Sequence, residues 1–97
     1  MRHWTKTQLN DQYELLREQW NARLVSLPSD KLREIENFRS LAGIELRLAD
    51  VVEAAADRKE TTFLEFQALH QAARYRRSEA EYWRQQADKI VARLAGS

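Results

Sequence analysis

Residues 66–94 read FQALHQAARYRRSEAEYWRQQADKIVARL. Within them Phe66, Leu69, Ala73, Arg76, Ala80, Trp83, Ala87, Ile90 and Leu94 recur at alternating steps of three and four, and all but Arg76 are apolar. That spacing holds one stripe on one face of an α-helix, whereas a strand would scatter it over both faces. Such a helix is about 45–50 Å long. Ala73, Ala80 and Ala87 share a heptad position. Small side chains there let another helix backbone come close, and the larger Phe66, Trp83, Ile90 and Leu94 fill the gaps between, the pattern of antiparallel packing in a bundle. Thr62 and Glu65 have capping-box spacing at the start. Lys89 and Arg93 suit the last turns, with Gly96 expected as the residue that closes the helix. Arg77/Glu81 and Arg84/Asp88 are spaced for ion pairs along the helix.

Upstream, Leu32, Ile35 and Phe38 open an apolar face that Leu41, Ile44, Leu48, Val51 and Ala55 continue. Ser29 is the expected N-cap, with Asp30 complementing the helix dipole, and Arg58 and Lys59 suit the C-terminus. Ile35, Phe38, Leu41 and Ile44 lie three apart in succession, a stammer expected to overwind the helix locally. Gly43 sits inside it. One continuous helix from about Asp30 to Arg58 is the favoured reading, since a single glycine costs only about 1 kcal/mol in a helix interior. A kink or break near Gly43 is the alternative.

The first element begins near Thr5, whose hydroxyl pairs in register with Gln8 for a capping box, flanked by Trp4 and Leu9 at the positions of a hydrophobic staple. Leu9, Tyr13, Leu16, Trp20, Leu24 and Leu27 then share a face, and Pro28 ends the helix by disfavouring helical geometry at Leu27.

The fold expected is therefore all-α: an up-down-up three-helix bundle, with helices at about 5–26, 30–58 and 62–95 in a single domain spanning 1–97. Composition agrees. Two glycines and one proline in 97 residues leave room for few turns, and 43% hydrophobic with 32% charged residues suits a folded chain. No apolar run approaches the roughly 18 residues of a membrane span, and no apolar stretch follows the charged N-terminus as in a secretory signal. Cysteine is absent, which excludes disulfides and thiolate chemistry and fits a cytoplasmic location. A formal net charge of +1 gives no bulk attraction for nucleic acid.

In this arrangement the first helix is shorter than the hairpin beside it. Alignment at Pro28 sets Thr5 level with Val51 and His70, so the hairpin tip is expected to project alone. Val52, Ala55, Ala56, Phe63, Leu64 and Phe66 sit there, and exposed apolar patches of that kind mark partner surfaces. The leading expectation is a protein-interaction module, self-associating as a homodimer or docking another protein. Phe63, Leu64, Phe66 and Tyr75 serve as contacts, with Arg74 and Arg77 at the rim. The alternative is a nucleic-acid-binding regulator using Arg74, Arg76, Arg77, Arg84 and Tyr82, where guanidinium groups alternate with rings that stack on bases. Pure coiled-coil self-association is a third reading. Arg76 lies in the apolar stripe and needs a carboxylate partner, with Asp50 and Glu45 the candidates. Asp50, Glu53, Asp57 and Glu60 form an acidic strip that can face the arginines.

No enzyme, cofactor or metal is expected. With glycine only at 43 and 96, phosphate loops and nucleophile elbows cannot be written. His3 and His70 lack the three or four converging ligands a metal needs, and His70 reads as an edge residue. No motif ties the chain to a family. It resembles, in composition alone, small helical accessory proteins of bacteria and phages.

Overall fold

A computed structural model describes residues 3–25 and 30–96. Three helices follow one another: α1 (Lys6–Val25), α2 (Lys31–Ala56) and α3 (Phe63–Gly96). The longest, 34 residues, matches a molecule 54 Å in its long dimension. Side-chain partnerships define the directions. Arg58 reaches the Trp4 carbonyl and Asn37 the Arg23 carbonyl, with Leu9, Leu16, Ile44, Leu48 and Val51 clustered between them, so α1 and α2 run antiparallel. Ile35 meets Ala87 and Ile90 while Ala49 and Val52 meet Ala73, so α2 and α3 do too. The up-down-up bundle is thereby established.

The caps follow local chemistry. Thr5 N–H donates to Gln8 Oε1 (2.8 Å) and Gln8 N–H to Thr5 Oγ1 (3.1 Å), a complete capping box. At α3 only the hydroxyl half forms, Glu65 N–H donating to Thr62 Oγ1. The α2 N-cap is Asp30, one residue later than expected: its extended backbone turns Oδ1 onto Arg33 N–H at 2.9 Å. Ser29, Pro28 and Leu27 lie outside the described residues. Gly96 remains within α3 and, among the described residues, no glycine takes a positive φ, so it does not act as a left-handed closing residue.

The helix runs unbroken through Gly43, and the stammer has a simple consequence. Each three-residue step turns the stripe back by about 60° around a regular helix. Between Ile35 and Ile44 the apolar stripe thus crosses to the opposite side of α2. Ile35 and Phe38 face α3, with Ala87 and Ile90, whereas Ile44, Leu48 and Val51 face α1. The stammer hands one helix from one neighbour to the other, and α2 stays α-helical throughout. It is the central rod: among the described residues no Cα of α1 lies within 8 Å of a Cα of α3.

The α2/α3 seam is closed by two matching ladders. Ala42, Ala49 and Ala56 recur every seventh residue on α2, as Ala73, Ala80 and Ala87 do on α3, and all are buried. Methyl groups on both sides permit close backbone approach. On α1 the buried side chains are Leu9 and Leu16, each contributing about 1.5–3 kcal/mol, with Tyr13 and Trp20 partly covered. Four residues of the expected apolar stripes lie outside the core: Leu24 at the end of α1, Leu32 at the start of α2, where it is 70% exposed, and Phe66 and Leu94 near the two ends of α3.

Candidate interaction surface and buried ionic centre

The hairpin tip does not project alone. Arg58 Nη1 donates to the Trp4 carbonyl at 2.8 Å, and Leu9 packs among Val51, Ala54 and Ala55. The α1 helix therefore reaches the end of α2, about a turn further than alignment at Pro28 suggests. It covers one side only. Phe63 and Leu64 remain 72% and 76% exposed because they open α3 on faces turned from both neighbours. Val52 and Ala56, by contrast, are enclosed in the seam.

The residues expected to bind a partner, apart from Arg77, which turns to the α2/α3 seam, fall on two strips of α3 that His70 and Tyr82 extend. Phe63, Phe66, His70 and Arg74 follow one another at steps of three and four along one flank of α3. The Phe66 and His70 rings meet at 4.3 Å, and a shallow groove of about 460 Å³ runs past them to Arg74. Leu64, Tyr75 and Tyr82 form the second strip, roughly 100° away around the helix. Tyr82 rests edge-on to Trp83 at 5.0 Å. The Glu79 carboxylate beside Tyr75 lifts the phenol above its ordinary pKa, by hydrogen bonding and by its charge.

The arginines separate into distinct roles. Arg77 crosses the seam to Glu53 and to Asp50 (3.7 Å), not along the helix to Glu81. Its hydrogen bond holds the Glu53 carboxyl below the usual range. Arg84 turns to Glu81 at 3.5 Å, not to Asp88. Seam partners thus displace the expected pair at Arg77, and a carboxylate three residues back along α3 displaces it at Arg84. Arg76 lies inside, its Nη1 3.3 Å from Glu45 Oε2 and its Nη2 donating to Tyr13 Oη at 3.1 Å. Of Arg74, Arg76, Arg77 and Arg84, Arg74 alone forms no ion pair among the described residues.

Glu45 is 1% exposed. Burial pushes its carboxyl above the ordinary value of 4.5, against the opposing pull of Arg76. Arg17, Trp20 and Asn21 from α1 and Tyr75 and Glu79 from α3 enclose it, leaving a groove of about 310 Å³ between those helices. Trp20 Nε1 is buried and turned to the Glu45 carboxyl, which it helps to hold in its charged form, while Trp83 Nε1 is buried without a hydrogen-bond partner and its ring stacks on Phe38 at 5.6 Å. Of the two carboxylates considered for Arg76, Glu45 is the one engaged. The Tyr13 hydroxyl had no signal beyond its place in an apolar stripe. The Ala42/Ala49/Ala56 ladder was legible from its seven-residue period.

No group of His, Cys, Asp and Glu that could hold a metal ion occurs among the described residues, and no helix is long and apolar enough to cross a membrane. No family model, curated protein or solved structure matches the chain.

Proposed function

We propose that this chain is a helical interaction module that acts by binding a partner protein, or a second copy of itself, through the first turns of α3. The observation that carries the reading is the exposure of Phe63 and Leu64, 72% and 76%, at the mouth of a helix whose neighbours leave them uncovered. Aromatic anchors with a polar rim are the usual centre of an interface, and Arg74 with Gln67 and Gln71 supplies that rim beside Phe66. Tyr75 and Tyr82 extend the contact along the second strip. A cysteine-free sequence suits work in the cytoplasm.

Nucleic-acid binding is the weaker reading, because Arg76, Arg77 and Arg84 already hold carboxylates. The test is Phe63→Asp with Leu64→Asp. Carboxylates in a helix's first turn favour its dipole, so helicity is retained. Partner capture from the native host, or dimer mass by light scattering, should be lost. Unchanged capture and unchanged mass would sink the proposal. Affinity for DNA or RNA that falls steeply with salt would favour the arginine strip instead.

A further inference from the structure

In a four-helix bundle each helix packs on the two beside it and stands apart from the one diagonally opposite. The α2 helix packs on both α1 and α3, whereas among the described residues the backbones of α1 and α3 do not come within 8 Å of each other. The two stand like diagonal corners, α2 fills a third, and the fourth is open. Side chains bridge the gap: Tyr13 of α1 accepts a hydrogen bond from Arg76 of α3 and packs on the cluster that holds Ala73. Two cavities lie between α1 and α3, one of about 460 Å³ toward the hairpin end and one of about 310 Å³ further in.

Both cavities open on the same side. Lys6, Asn10, Arg17 and Asn21 line them from α1 and are four, seven and four residues apart. Glu65, Ala68, Tyr75 and Glu79 line them from α3, three, seven and four apart. Each set is one helix face, so the cavities are two stretches of one channel.

The walls of this channel carry opposite charge. At the hairpin end Lys6 on α1 stands across from Glu65 on α3, and further in Arg17 stands across from Glu79. The cations are about 16 Å apart along α1, the carboxylates about 21 Å apart along α3. None of these four forms an ion pair among the described residues. The other charged groups lining the cavities are already matched, Arg58 with Glu60 and Arg76 with Glu45. Charge left unmatched is thus sorted by wall, positive on α1 and negative on α3.

We propose that the channel seats a fourth helix, supplied by a partner protein, whose apolar stripe is flanked by acidic residues toward α1 and basic residues toward α3. One apolar side chain enters the hairpin-end cavity against Leu9, Ala55 and Leu69, and roughly three to four turns span both charged levels. Because the walls differ in sign, the flanks also fix the direction in which the helix lies. A second copy is poorly suited to the seat, since the three helices already spend their apolar stripes inside their own bundle. This surface is additional to the tip: Phe63 and Leu64 line neither cavity.

The probes are three synthetic amphipathic helices of about five turns that share one leucine stripe. The first carries Glu on one flank and Lys on the other, the second Lys on both, the third Glu on both. In isothermal titration at low salt the mixed helix should bind at least about tenfold tighter than either uniform one. Lys6→Glu with Arg17→Glu, at exposed positions, makes both walls acidic and should pass the preference to the helix with Lys on both flanks. Ala68→Arg, also exposed, should obstruct the channel and abolish binding while circular dichroism stays unchanged. Phe63→Asp should leave binding intact, which separates the channel from association at the tip. Absence of binding, equal affinity for the three helices, or binding that survives Ala68→Arg would overturn the proposal. A dimer in light scattering that Ala68→Arg dissolves would overturn it in favour of a second copy in the channel.

Discussion

Arg76 crosses from α3 to place its guanidinium 3.3 Å from the Glu45 carboxylate, at a polar junction to which all three helices contribute. Glu45 is sealed from water while Arg76 keeps part of its surface. Removing the cation should therefore strand a buried anion. Arg76→Ala is expected to destabilise the fold by about 3–5 kcal/mol in urea denaturation, while Glu45→Met with Arg76→Met should be neutral or stabilising. A double variant weaker than Arg76→Ala would refute this account of the junction.

Glu45 and Glu53 should bend the stability curve in opposite senses. Glu45 holds its proton more tightly folded than unfolded, where its value is 4.5, so its contribution is present below that pH and fades as pH rises through the raised folded value. Glu53, depressed by Arg77, contributes above 4.5 and loses its contribution as pH falls through the lowered value. Stability of Glu45→Gln relative to the parent should thus improve as pH goes from 4 to 7, and that of Glu53→Gln should worsen. These pH limits are about the span over which such carboxylates titrate. Parallel profiles for the two variants would contradict the assigned environments.

The alanine ladders predict intolerance to bulk. Ala80→Leu or Ala49→Leu forces the α2/α3 seam apart and should cost about 1–3 kcal/mol by thermal denaturation. Ala72→Leu, at an exposed position of the same helix, should change little. Equal effects at Ala72 and Ala80 would mean that the seam is not tightly packed.

Gly43 invites a gain. A Cβ built there meets only Arg47 Nη2, at 3.9 Å, and the backbone is ordinary helix. Gly43→Ala should stabilise by roughly 1 kcal/mol, read as a higher midpoint in urea with an unchanged slope. Loss of stability would reveal a constraint on that backbone beyond helix propensity.

Much of the architecture was written in periodicity. The regular steps from Phe66 to Leu94 and the Thr5/Gln8 pair define α3 and the start of α1 closely, because capping and one-sided burial are local effects. What escaped was relational. Counting along the chain finds Arg77 beside Glu81 and an acidic strip on α2 that can face the arginines, but only packing decides that Arg77 takes Glu53 and Asp50 in place of Glu81. The three-residue steps at Ile35–Ile44 are visible, yet their meaning depends on α2 having different neighbours at its two ends. The position of α1 depends on which hydrophobic layer engages first, and chain length cannot supply that. Exposure of Phe63 and Leu64 was anticipated, though for a different reason: α1 reaches their level and lies on another side.

The paired alanine ladders impose an inheritance rule. Six places, Ala42, Ala49, Ala56, Ala73, Ala80 and Ala87, tolerate little beyond a methyl group, whereas the outward positions between them face water and are free to drift. A kindred protein could lose nearly all recognisable identity and still be betrayed by two runs of tiny residues at heptad intervals, set either side of a turn.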